Sequence, residues 1–504
     1  MTSASSLSFG NPAARLSLEC SRLQDGDFSD TQDAPLQIVQ ARIVDTNESV
    51  GPQCQVSGYI APQVGFDFRL PISAWNGKLV MMGCGGNCGT FYTDLGVCDE
   101  PLRRGYACIV SDMGHKGTAG GAIWAYNNVQ AEIDYAYRAT HVTALAGKSI
   151  AERYYGAEPK KSYHVGCSTG GQQGLVSAEY FPGDFDGIVA GAPSVDLATS
   201  SLFLLQAVNV SQGSDNEPIL PRPALELLHN AVLAKCDSFD GVADRVINNP
   251  RSCRFDPFEL VCTPKKQTEK QSCLTETQAN AASQIYRGVV SATNEILYPG
   301  VSPGSELTWE VYSYPPFRRD IPDRLRYSRL IPDPGPTWNP REFKIDRDYR
   351  RLAMMEKLLS ASNPDLRSFK ASGGKLIVYH GWNDSLAVPE KTIDYYETVE
   401  RTMGGRKATQ DFFRLFMMPG VGHCSGGTVD FLQYLEAWVE GGKPPEGILS
   451  GHLAGEQNGG YPHRQLPADA SRIAFTGPLF AYPRYAMYKG SGRVDDAKNY
   501  YAKE

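Results

Sequence analysis

Gly166-Cys167-Ser168-Thr169-Gly170 sets a hydroxyl in a G-x-S-x-G frame, between glycines that permit a turn too tight for larger side chains. A serine hydroxyl is a poor nucleophile until a base takes its proton, so the pentapeptide predicts a histidine elsewhere, and an acid to orient it. On a strand-to-helix elbow these partners follow the serine in the order acid, then base. Downstream, "HGWNDSLAVP" offers Asp384 and "PGVGHCSGG" offers His423, each just past a short apolar run. The chain has eight histidines, so the competitors are few. His380, at the end of "KLIVYH", precedes Asp384 and reads as a satisfied core histidine; His115, in "SDMGHKG", reads as a pocket-lining residue. Ser168, Asp384 and His423 are thus the expected nucleophile, acid and base of an acyl transfer. The oxyanion formed on attack needs two N–H donors. Thr169, next after the nucleophile, supplies one; the glycine-rich "GCGGNCG" (Gly83 to Gly89) supplies the other, from Gly86 or, as the alternative, its neighbour Gly85.

The elements that would position these groups alternate between strand and helix. "KLVMMG", "YACIVSDMG", "KSYHVGCS" and "GIVAGAP" are short apolar runs that suit buried parallel strands, as do "KLIVYH" and "FFRLFMM" further on. Helical spacing fits residues 129–155, "GGQQGLVSAEYF" and "TVDFLQYLEAWVEGG". The expected class is therefore α/β, a parallel sheet with helices on its faces. Between residues 194 and 372 the grammar is lost among prolines, four cysteines and irregular aromatic stretches, which reads as an insertion folded over the sheet. The expected organisation is a catalytic domain from 1–193 and 373–504, with 1–75 an N-terminal extension packed on it, and an inserted lid domain at 194–372.

Composition narrows the classes. The chain is 41% apolar and 21% charged, with a formal charge of −7 and scattered cations, so it lacks the basic stripe that a nucleic-acid partner requires. No apolar run approaches the ~18 residues of a membrane span. The first twenty residues lack the basic and apolar regions of a secretory signal, whereas twelve cysteines suit an oxidising compartment. Two readings reconcile these: a secreted or periplasmic chain whose signal was removed and replaced by Met1, or an intracellular enzyme with reduced thiols.

"GCSTGGQQG", "HGWND" and "GVGHC", with the ending "YPRYAMYKGSGRVDDAKNY", resemble the tannase and feruloyl esterase family of α/β hydrolases, which includes the enzyme hydrolysing the terephthalate monoester released from polyester. The resemblance runs from about Cys20 to the C-terminus. It implies an α/β-hydrolase fold with a large inserted lid, and hydrolysis of small-molecule esters of an aromatic acid of gallate, hydroxycinnamate or phthalate type. It also implies a disulfide between Cys167 and Cys424, and others joining Cys236 to Cys253, Cys262 to Cys273 and Cys20 to Cys54. Cys84, Cys88, Cys98 and Cys108 remain, and they allow three pairings. A structural calcium ion is implied in the lid loop "CDSFDGVADRVI", held by side chains of Asp237, Asp240 and Asp244 and carbonyls of Val242 and Val246. Arg245 stands there where the family often has glycine. Arg318, Arg319, Arg324, Arg326 and Arg329 would form a carboxylate clamp or a solvated lid surface. The alternatives to hydrolysis are an acyltransferase or lactone-forming esterase with the same triad, and a catalytically inactive binding protein.

Overall fold

The computed structural model describes residues 12–45, 50–92, 96–213, 217–264, 272–314, 337, 339, 342–424, 428–453 and 470–504. Seven strands precede the long irregular stretch: β1 (Leu36–Val44), β2 (Gln53–Ile60), β3 (Val64–Pro71), β4 (Lys78–Met82), β5 (Ala107–Ser111), β6 (Lys161–Cys167) and β7 (Gly187–Gly191). Within it lies the short pair β8 (Val289–Val290) and β9 (Ile296–Tyr298), and after it come β10 (Lys375–Gly381) and β11 (Phe413–Met418). Nine of these form one sheet in the order β1-β2-β3-β5-β4-β6-β7-β10-β11. The first three are an antiparallel meander joined antiparallel to β5; from β5 onward every neighbour is parallel.

Strand residues point alternately to the two faces, and each face has its own core. Leu79, Met81, Ile109, Ile188, Leu376 and Val378 belong to one hydrophobic cluster, Val80, Met82, Val165, Val189, Ile377 and Tyr379 to the other. Near-continuous apolar strands are what burial on both sides demands. The first face packs on helices that include Ala139–Tyr155 and Pro389–Thr402, the second on Phe431–Gly441 through Leu432, Leu435 and Trp438.

One topological detail places the site. β5 lies outside β4, and the chain then returns to lay β6 on the other side of β4. The loops leaving β4 and β6 therefore diverge at a switch point, where open α/β sheets keep a ligand crevice.

β7 and β10 are adjacent and parallel, yet nearly two hundred residues separate them. The apolar period left this stretch unassigned, but it contains the helices Leu197–Val210, Arg222–Cys236 and Glu276–Arg287. Leu197–Val210 is buried almost all round, which erases the one-sided stripe that sequence reading relies on. This stretch also backs the acid loop: Tyr312 Oη–H donates to Ser385 O, and Thr308 Oγ1–H reaches Asn383 O at 3.1 Å. Two further antiparallel pairs close the chain, β12 (Gly447–Leu453) with β13 (Ile473–Phe480) and β14 (Tyr485–Tyr488) with β15 (Tyr500–Lys503). Residues 129–155 are helical with one difference from the expected pattern: Asp134–Arg138 forms a turn of π-helix between two α-helical stretches.

All twelve cysteines are paired, as Cys20–Cys54, Cys84–Cys88, Cys98–Cys108, Cys167–Cys424, Cys236–Cys253 and Cys262–Cys273. Six disulfides fit an oxidising compartment. No helix among the described residues is long and apolar enough to cross a membrane.

Candidate active site

β6 ends at Cys167 and a helix starts at Thr169, so Ser168 alone makes the turn, with φ 63° and ψ −124°. An L-residue keeps such a conformation only when its surroundings over-determine it. Glycines supply the room: a Cβ on Gly166 would lie 2.5 Å from the Gly170 backbone, and one on Gly171 2.4 Å from Gly191 O. The Ser168 N–H donates to Gly191 O at 2.9 Å, and buried His164 lies 2.8 Å from Gly170 O through Nε2. Burial pushes His164 down to about 4, so it braces the elbow as a neutral ring.

The loops after β10 and β11 bring in Asp384 and His423. His423 Nε2 stands 2.8 Å from Ser168 Oγ, and its Nδ1 2.6 Å from Asp384 Oδ2. Asp384 is completely buried. Its Oδ1 accepts the N–H groups of Leu386 and Ala387 at 2.8 and 3.0 Å. Burial alone would raise its pKa, but His423 and His380 outweigh burial and hold the carboxyl well below the usual carboxylate range. An ionised carboxylate only accepts, so His423 Nδ1 carries the hydrogen and Nε2 turns a lone pair toward the serine. The arrangement has the geometry of a nucleophile, a base and an orienting acid.

His380 is a core histidine, as expected, with no exposed surface. It is also attached to the acid: Nε2 lies 3.1 Å from Asp384 Oδ2 and 2.7 Å from Ala387 O, while Nδ1 lies 2.9 Å from Thr392 Oγ1. Two acceptors at Nε2 fix the hydrogen there. The Cys167–Cys424 disulfide, with a Cα separation of 6.0 Å, joins the residue before Ser168 to the residue after His423.

Across the switch point lies the loop Gly83–Gly89. Gly86 has φ +60°, and a Cβ there would sit 2.4 Å from Ala119 O, so only glycine fits. The loop's carbonyls are held from behind. Gly85 O accepts Tyr92 Oη–H at 2.9 Å and Cys88 N–H at 3.1 Å. Gly86 O accepts the hydroxyls of Tyr135 at 3.0 Å and Thr169 at 2.7 Å, and Asn87 O lies 2.6 Å from His115 Nε2. Among the described residues no acceptor takes the N–H of Gly86 or of Thr169. The Thr169 hydroxyl thus ties the helix that follows Ser168 to the residue expected to donate the second N–H.

His115 is not the pocket-lining residue expected. It is buried behind the loop, stacked on Trp124 with ring centroids 3.8 Å apart, and burial pushes it down to about 4. Tyr92 and Tyr135, which hold the loop, were not among the sequence candidates. The signal for Tyr135 lay in the broken helical period of "AEIDYAYR", since a π-turn shifts the side chains that follow it.

The acidic loop follows the helix Arg222–Cys236. Asp237 and Asp240 are buried, and Asp237 Oδ1 has no hydrogen-bond partner. Burial, with Asp244 and Asp237 adding repulsion, pushes Asp240 up to about 6. A buried carboxylate oxygen without a donor is one that a hard cation would satisfy. Among the described residues, however, no three His, Cys, Asp or Glu side chains are gathered in a group that would hold a metal. Arg245 takes φ 70°, the conformation for which glycine is suited, and its N–H donates to Asp237 Oδ2 at 2.9 Å. Arg318, Arg319, Arg324, Arg326 and Arg329 lie outside the described residues.

Comparison with known proteins gives a consistent answer. The sequence model of tannase and feruloyl esterase matches residues 48–321 and 337–503. An uncharacterised esterase of Xanthomonas campestris is 31% identical, over 89% of this chain and 84% of its own. A protein of Aspergillus terreus, named probable feruloyl esterase B-1, is also 31% identical, over 85% and 82%. The crystal structure of feruloyl esterase B from Aspergillus oryzae superposes with a TM-score of 0.84 at 25% identity, covering 97% of this chain and all of the other.

Proposed function

We propose that this chain, which belongs to the tannase and feruloyl esterase family and is a carboxylic ester hydrolase, cleaves esters of hydroxycinnamate- or gallate-type aromatic acids through a Ser168-His423-Asp384 acyl-enzyme. The observation that carries the mechanism is the unbroken hydrogen-bonded line from Ser168 Oγ through His423 to buried Asp384.

Ser168 Oγ attacks the ester carbonyl as His423 Nε2 takes its proton. The imidazolium formed is stabilised by Asp384, which stays ionised because it accepts from two backbone N–H groups and two histidines. The N–H groups of Gly86 and Thr169 hold the tetrahedral oxyanion. On collapse His423 returns the proton to the leaving alcohol. Water, deprotonated by the same nitrogen, then attacks the acyl-enzyme and releases the acid.

The aromatic acid comes from the names of the relatives and of the family. We take residues 194–372 as a lid domain that forms the acyl pocket, a reading supported by the contacts of Thr308 and Tyr312 with the acid loop. Asp237, Asp240 and Asp244, with the carbonyls of Val242 and Val246, would hold a structural calcium ion that contributes to folding and takes no part in the chemistry. The six disulfides support a place outside the cytoplasm, secreted or periplasmic.

Turnover of ferulate, gallate, monoalkyl phthalate, terephthalate and plain alkyl esters, with Ser168→Ala as control, tests the reading. Rates ranked by the acid rather than the alcohol, and loss of about four orders of magnitude in the alanine variant, are expected. Undiminished activity of Ser168→Ala overturns the mechanism, and equal rates on plain alkyl esters overturn the acyl pocket. Calcium has its own test. Exhaustive chelation should lower the Tm, and restored calcium should raise it by mass action; an unchanged Tm in protein whose ion content has been measured as zero removes the ion.

A further inference from the structure

We propose that Tyr92 and the Cys84–Cys88 disulfide together form a positioning clamp for the oxyanion hole, fixing the one peptide plane that presents the Gly86 N–H. This deepens the mechanism above and rests on it.

A trans peptide is planar, so the carbonyl of residue 85 and the N–H of residue 86 point in opposite directions. Aiming that N–H is therefore the same problem as holding the Gly85 carbonyl. Tyr92 Oη–H and Cys88 N–H both donate to Gly85 O, from 2.9 and 3.1 Å. Flipping the plane would break both bonds at once. In the following plane Gly86 O accepts from Tyr135 and Thr169, and the Asn87 N–H donates to Ala119 O at 2.7 Å. Its partners hold the loop but leave the Gly86 N–H unaimed; only the Gly85 carbonyl decides that direction.

Two adjacent glycines make such holding necessary, because neither has a Cβ to restrict its rotation. The disulfide restricts it from outside. Cys84 and Cys88 flank the glycines, and the bond fixes their Cα atoms 5.5 Å apart. Gln173, on the nucleophile's own helix, has Nε2 3.1 Å from Cys84 Sγ, so the clamp is referenced to the elbow. Burial raises the pKa of Tyr92, which keeps the phenol protonated as a donor. Tyr92 acts through Gly85, so it is a positioning residue.

Tyr92→Phe removes one oxygen atom. The expected result is a kcat about tenfold lower with KM within about twofold, since an oxyanion donor acts on the transition state and not on the bound ester. Affinity for benzeneboronic acid, which forms a tetrahedral adduct with the serine, should fall by the same factor as kcat, and affinity for the free product acid should not change. The double variant Cys84→Ser with Cys88→Ser should give the same split. Combining all three substitutions should cost less than the product of the separate losses, because both devices act on one plane. Unchanged kcat and boronate affinity in either variant overturn the clamp, and so does a loss in which boronate and product-acid affinities fall together. A dead Ser168→Ala beside a fully active Tyr92→Phe removes the clamp alone; an active Ser168→Ala removes the mechanism beneath it.

Discussion

Two disulfides flank the candidate site, and the same covalent bond does different work in each. Cys167–Cys424 spans 257 residues, from the strand before Ser168 to the loop that carries His423; Cys84–Cys88 spans 4, within the loop opposite. On the chain-entropy model, closing a loop of hundreds of residues stabilises the fold by about 5 kcal/mol and closing a four-residue loop by about 2 kcal/mol. The long bond is thus a staple for the fold as well as the site. The short bond adds less than half as much to stability, and its further value lies in holding two glycines where the chain would otherwise wander. The two sides of the candidate site are held by opposite strategies: distant elements tied together around Ser168 and His423, a local turn stiffened at Gly85 and Gly86.

The larger effect belongs to the long bond. Replacing Cys167 and Cys424 with serine should lower the Tm by about 5 to 10 °C. It should also cost more than tenfold in kcat, because Ser168 and His423 then depend on packing alone to stay 2.8 Å apart. Scanning calorimetry and turnover on the same preparation check both. A Tm loss no larger than that of the Cys84, Cys88 double variant would erase the contrast, and a large Tm loss with unchanged kcat would leave the long bond a staple for the fold only.

The two sides also differed in how legible they were. The convergence of Ser168, Asp384 and His423 could be read because a serine between glycines and two partners past apolar runs follow one another in a fixed order along the strand ends of the sheet. The α/β class was readable for the same reason: strands buried on both faces, such as Lys375–Gly381, are almost continuously apolar. The oxyanion side left a weaker trace. Glycines marked the loop, but Tyr92 and Tyr135 hold it through single hydroxyls whose targets are backbone carbonyls, and no side-chain pattern encodes such a contact. A histidine at a strand end often faces a pocket; the ring of Trp124, nine residues further along the chain, instead stacks on buried His115. His380 carried no sign that its core position would also bring it to the acid. Cys84, Cys88, Cys98 and Cys108 left three pairings open, since pairing depends on the path of the chain between them.

The smaller effect concerns the short bond's neighbourhood and is a matter of protons. His115 holds Asn87 O from behind, inside the ring that Cys84–Cys88 closes. Burial, with Lys116 adding repulsion, pushes its folded pKa down to about 4, whereas an unfolded histidine titrates near 6.5. As pH falls the unfolded chain therefore takes the proton first. The stability contributed by neutral His115 is present in full above about 6.5 and is lost as pH falls from there through the folded value. His115→Gln keeps an amide donor for Asn87 O and does not titrate, so its unfolding free energy, measured in urea between pH 7.5 and 4.5, should decline less steeply. His164 is also held at about 4, but it titrates in both proteins, so the difference between the curves reports His115. The Cys84, Cys88 double variant should keep the wild-type slope, because the depression comes from burial beneath Trp124 and not from the ring. Parallel curves for wild type and His115→Gln would mean that the oxyanion side draws no stability from its buried histidine.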